Sequence, residues 1–103
     1  MDIVVGLQEK FAKELFEFSK HALDRTILRG ISVEEIREAI QQAELLEDYP
    51  KDKYGPSCLV LGFTKAGRAL HLQCSYPARP LVKIITIYEP DPQEWSEFRR
   101  RKS

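Results

Sequence analysis

The hydrophobic period of this chain changes once, close to residue 44, and that change limits the fold more than any other feature. Before it, apolar residues recur at three- and four-residue intervals: Val4, Leu7, Phe11 and Leu15, then Val33, Ile36, Ala39, Ile40 and Ala43. After it they alternate, with Leu59, Leu61 and Phe63 in one run and Leu70, Leu72 and Cys74 in the next. The segment Leu81–Tyr88, LVKIITIY, is apolar on both faces, as suits a central strand. Helices followed by strands predict an α+β domain.

Punctuation residues divide these stretches. A first helix is expected over 3–15, followed by a short extended piece at Phe16-Glu17-Phe18. Ser19 is placed to cap a second helix, 20–29, that Gly30 ends as a left-handed residue. Ser32 and Glu35 have capping-box spacing and open a third helix, 33–43, making a helical hairpin with the second. Strands are expected at 44–49, 58–64, 68–76 and 81–88, forming a four-stranded, mainly antiparallel sheet. Asp91, Pro92 and Glu94 then predict a short C-terminal helix carrying Trp95 and Phe98. Residues 1–98 read as one domain and 99–103 as a frayed basic tail.

A two-residue turn at Ala66-Gly67 would set Leu59 against Cys74 and send Cys58 to the opposite face. The same register puts Gly62 across from His71, leaving room beside the imidazole. Free thiols are then expected, and no cysteine–histidine spacing points to zinc, so neither a metal nor a cofactor is expected.

An apolar fraction of 43% argues for a folded domain, and no apolar run reaches the length of a bilayer span. The opening MDIVVGLQEKF lacks a secretory pattern, which predicts a cytoplasmic protein with no membrane partner. Net charge is zero, but residues 1–64 carry 8 Lys/Arg against 12 Asp/Glu and residues 65–103 carry 8 against 4. Such neutrality does not favour an RNA-gripping enzyme, although a local basic groove can sit on a neutral domain. Glycine loops for phosphate, serine elbows and paired metal ligands are absent from the sequence.

Chemistry is then left to a few side chains. His21, Arg25 and Arg29 recur every four residues and stripe one side of the second helix, with Leu23 and Ile27 on the other. Arginines so placed can clamp phosphate or carboxylate, or simply form a solvated face. His21 falls in the helix's first turn, whose positive end suits a neutral hydrogen-bonding imidazole better than a cation. His71, in a strand, is the acid–base candidate for phosphodiester cleavage by a neighbouring 2′-hydroxyl; the structural reading of a strand histidine stands beside it. Arg25, Arg29 and Arg68 are the phosphate-binding candidates. Lys65, Arg79 and Lys83 could add charge, and Tyr49, Tyr54, Tyr76 and Tyr88 could stack on bases.

Ser19-Lys20-His21-Ala22, Arg25 and Arg29-Gly30-Ile31-Ser32 resemble the helical signature of the domain of unknown function 4258 family (DUF4258). Glu47–Pro50, Gly55–Gly62, Gly67–His71 and Ile85–Pro90 are similar to the same family's later blocks, in the same order. The resemblance implies a RelE/ParE/BrnT-like toxin fold, with a small zinc-finger antitoxin-like protein as partner. It also implies two functional readings. One is a type II toxin that cleaves messenger RNA without a metal; the other is a non-catalytic interaction module of the same fold.

Overall fold

The computed structural model describes residues 2–102. Three helices come first: α1 (Ile3–Ala12), α2 (Lys20–Arg29) and α3 (Val33–Gln41), with the short strand β1 (Phe16–Phe18) between α1 and α2. Four longer strands follow, β2 (Glu44–Tyr49), β3 (Ser57–Phe63), β4 (Ala69–Ser75) and β5 (Val82–Tyr88). The chain closes with a small hairpin, β6 (Trp95–Ser96) and β7 (Arg100–Arg101).

The caps are those the sequence announces. Ser19 Oγ accepts the Ala22 N–H at 3.0 Å, Gly30 takes φ 61°, and Ser32 and Glu35 form a reciprocal capping box. α1 stops at Ala12, three residues short of expectation, because Glu14 turns left-handed at φ 58° and redirects the chain into β1.

The sheet has five strands, not four, in the order β1-β5-β4-β3-β2. The added strand is Phe16–Phe18, which pairs parallel to β5, Phe16 against Val82 and Phe18 against Ile84; all other pairs are antiparallel. Three residues are too few to show a period, so alternation alone could not promote this segment to a strand. A helix also gives way to a hairpin at the C-terminus. Glu97 and Phe98 take φ 54° and 65°, the two central positions of a left-handed turn, and Arg99 N–H closes it on the Ser96 carbonyl at 3.0 Å.

Register across the β3–β4 hairpin differs by one residue from the two-residue-turn expectation. Phe63 pairs with Ala69, so a five-residue connection closes the hairpin, and Cys58 pairs directly with Cys74. Gly62 therefore faces α3 and not His71, which pairs with Leu61. The reason is steric: a Cβ on Gly62 would lie 2.0 Å from the Ala39 carbonyl oxygen, so only glycine lets α3 approach this closely.

The main core lies between helices and sheet, from Leu7, Phe11, Ile36 and Ile40 to Val60, Leu70, Leu72, Ile84 and Ile87. α2 meets it through Ala22 and Thr26, while Leu23 and Ile27, set opposite the cationic stripe in the sequence reading, stay largely exposed. Small residues inward let this helix lie close against β5. The sheet's other face carries a second cluster, Leu59, Leu61 and His71 under Trp95. There Phe98 packs edge-on to Phe63. The C-terminal hairpin is the cover of this face.

Candidate functional site

Helical spacing brings His21, Arg25 and Arg29 to one row, and α2's packing sets that row beside the far half of β5. With Thr86, Ile87 and Tyr88 they line a cleft of about 260 Å³. β1 covers β5 only as far as Ile84, which is why this half of the strand is bordered by side chains of α2. Arg25 and Arg29 form no ion pair among the described residues. Two unneutralised guanidiniums beside an aromatic ring are suited to a phosphate and a base.

Arg29 and Tyr88 also line an adjoining cleft of about 340 Å³, which ends at Trp95 and Arg101. Three carboxylates share it: Glu89, Asp91 and Glu94. Glu89 is held below the usual carboxylate range, first by its bond to Arg68 and further by the Arg68 and Arg29 charges.

Tyr88 joins this surface to His71. The Tyr88 hydroxyl lies 3.1 Å from His71 Nδ1, and His71 Nε2 lies 2.6 Å from the Phe98 carbonyl. A carbonyl only accepts, so Nε2 carries the proton and Nδ1 takes the tyrosine O–H. The imidazole is 0% exposed, with Trp95 perpendicular to it at 4.5 Å between centroids. Burial pushes its pKa down, against the Phe98 carbonyl and the Glu47 charge that favour the cation. Both ring nitrogens are engaged within the second cluster, so His71 reaches the open cleft only through Tyr88. Burial likewise pushes the Tyr88 phenol up.

Arg68, a phosphate-binding candidate from sequence, is a clamp in the fold. Nη1 donates to the Gly30 carbonyl at 3.1 Å and to Glu35 at 3.2 Å; Nη2 donates to the Arg29 carbonyl and to Glu89, both at 2.8 Å. It ties the α2–α3 corner to the end of β5 and thereby positions Arg29. The basic tail is also engaged. Arg99 bonds Glu44, Arg101 bonds Glu47 at 2.8 Å, and the Arg101 guanidinium lies 4.7 Å from the Trp95 ring centroid.

The site therefore gathers His21, Arg25, Arg29 and Tyr88, with His71 bonded to the Tyr88 hydroxyl and Arg68 to the Arg29 carbonyl. Tyr88 stands out in sequence only as one of four tyrosines; its bond to His71 depends on the β4–β5 register, where the two residues are Cα partners. Trp95, Phe98 and Arg101 had no signal, because their role follows from a turn that local rules read as a helix. Another cleft, about 480 Å³ between α1 and α3, contains none of these residues, and its Arg37 is paired with Glu14. No cluster of three or more potential metal ligands occurs among the described residues, and none of their helices is long and apolar enough to cross a membrane.

Fold and site thus describe a small α+β domain with a mixed sheet and a cationic cleft at one strand's edge. Residues 18–89 match the family described as Domain of unknown function (DUF4258), and the chain belongs to that family. No curated protein and no solved structure matches. The matched region runs from the end of β1 through β5, so it includes the cleft and His71 but neither α1 nor the covering hairpin.

Proposed function

We propose that this domain acts on single-stranded messenger RNA as the toxin-like member of a type II toxin–antitoxin pair of the RelE/ParE/BrnT kind. One observation carries the reading: Arg25 and Arg29, without an ion-pair partner among the described residues, line an open cleft with Tyr88. His21 at the same cleft is the accessible imidazole. In metal-independent cleavage the substrate's 2′-hydroxyl attacks the adjacent phosphorus, and the P–O5′ bond breaks to leave a cyclic phosphate. His21 accepts the 2′-hydroxyl proton, Arg25 and Arg29 balance the charge on the phosphorane, and water protonates the departing 5′-oxygen. Proton transfer by His71 itself has no place in this scheme, because both its nitrogens are satisfied behind Tyr88.

A second reading, a non-catalytic docking domain, draws on the carboxylates of the adjoining cleft. Glu89, Asp91 and Glu94 repel phosphate but suit a partner protein with basic residues, such as a small zinc-finger antitoxin-like protein. Inducible expression in bacteria, with mapping of RNA 5′ ends, separates the two. The RNA reading expects new 5′ ends with wild type, their loss in Arg25→Ala/Arg29→Ala, and a hundredfold or greater reduction in His21→Ala. Normal growth and intact RNA at confirmed soluble expression would select the docking domain instead.

A further inference from the structure

A second cationic cleft, of about 380 Å³, opens on the sheet face at the other end of β5. Arg79 and Lys83 line it with Ser75, Ile85 and Tyr54. Neither cation forms an ion pair among the described residues. Glu17 is the Cα partner of Lys83 across β1–β5, yet the two do not bond. Asp52 is the one carboxylate among the described residues of the lining, and it is engaged by Ser57 Oγ at 2.8 Å and by the Tyr54 N–H at 3.4 Å. Those bonds brace the 50–56 connection between β2 and β3, on which Tyr54 is 82% exposed. Lys53 Nζ lies 4.9 Å from that ring's centroid, which sets a further cation beside Tyr54 where a ligand's phosphate would be attracted. Ser75 Oγ already accepts the Lys83 N–H at 2.8 Å, so its hydroxyl proton remains to donate.

The two cationic clefts lie on one strand. Lys83 and Ile85 line one; Thr86, Ile87 and Tyr88 line the other. A bulge separates them, since Gln73 pairs with Thr86 and Cys74 with Ile84, leaving Ile85 unpaired. Bulges bend a strand and re-aim its side chains. From Lys83 to Tyr88 the strand covers about 16 Å at ~3.3 Å per residue, a length that several nucleotides span.

We infer that the Tyr54–Arg79–Lys83 cleft is a second nucleotide subsite, and that one RNA strand runs along β5 from Arg79 and Lys83 to Arg25 and Arg29. The inference rests on the RNA reading above and adds to it the strand's path. Phosphates are held at both ends, and a base stacks on the open face of Tyr54.

Fluorescence anisotropy of the full chain with a labelled 12-nucleotide single-stranded RNA tests it. Arg79→Ala/Lys83→Ala is expected to weaken binding roughly tenfold and to lower the slope of log K against log salt by about 1.4, two phosphate contacts at ~0.7 each. Tyr54→Ala is expected to lose roughly fivefold, with Tyr54→Phe close to wild type because stacking is kept. Lys13→Ala/Lys65→Ala removes equal charge elsewhere and serves as control, with less than a twofold change expected. If Arg25→Ala/Arg29→Ala weakens binding while Arg79→Ala/Lys83→Ala matches the control, the second subsite is overturned and the RNA reading stands. If wild type binds no RNA, both are overturned.

Discussion

His71 shows how one buried residue can look like a catalyst in sequence and act as a keystone in the fold. Its Nε2–H donates to the Phe98 carbonyl and its Nδ1 accepts from Tyr88, so the ring links β4, β5 and the C-terminal hairpin. The pH consequence follows from burial. The folded imidazole has a pKa below its ordinary value, while the unfolded chain takes up the proton near pH 6.5. The unfolded state then binds more protons below that pH, so the contribution is full above about 6.5 and declines as pH falls through and below it. The slope reaches at most ~1.4 kcal/mol per pH unit. His71→Gln is expected to cost about 2 kcal/mol at pH 7 and to flatten this part of the profile in urea melts between pH 7 and 5. Equal slopes in both proteins would show that His71 does not carry the linkage.

Among the elements, the C-terminal hairpin is the least regular and the most informative. Its turn places two L-residues, Glu97 and Phe98, at positive φ, which costs on the order of 1 kcal/mol each. The conformation is held from outside: His71 fixes the Phe98 carbonyl, Phe63 packs on the Phe98 ring, and Arg101 bonds Glu47. Glu97→Gly should relieve the strain at the cost of an exposed ion pair with Arg100 that contributes little. The expected gain is about 1 kcal/mol, or roughly 4–8 °C in Tm. Phe98→Gly also relieves φ strain but removes the contact with Phe63, and should lower Tm. A matched fall in the two variants would show that the turn stores no strain. β1 and α2 teach a related lesson. Three residues became an edge strand because β5 offered an open edge, and α2 turned Ala22 and Thr26 inward because close packing on β5 outweighed the burial of Leu23 and Ile27.

At the scale of the whole molecule, the two cysteines report on global opening. Cys58 and Cys74 are direct cross-strand partners in the main core, both fully buried and both free. Burial pushes the Cys58 thiol up to about 12 and the Cys74 thiol well above its ordinary value, so neither forms an appreciable thiolate near neutrality. Alkylation by iodoacetamide at pH 8 is therefore expected to be negligible in the native state and to proceed only through opening of the sheet. Raising stability, for instance by Glu97→Gly, should slow labelling in proportion to the change in the unfolding constant. Rapid labelling indifferent to stability would show that the β3–β4 pair opens locally.

The site was legible from the sequence in its parts and not in its assembly. His21, Arg25 and Arg29 share a face because the helical period puts them there, and the caps at Ser19, Gly30, Ser32 and Glu35 depend on hydrogen bonds between residues no more than four apart. Such local contacts are determined by the sequence alone, as is the switch from helices to strands. The partnership of Tyr88 with His71, the engagement of Arg68 by Glu35 and Glu89, and the cover of Trp95 and Phe98 join residues 17 to 33 positions apart. Each depends on the strand register, and Gly62's close approach to Ala39 is one contact that distinguishes that register from its one-residue neighbour. A shift of one residue would move every side chain of the hairpin to the other face, so only the packed tertiary structure could decide which groups meet.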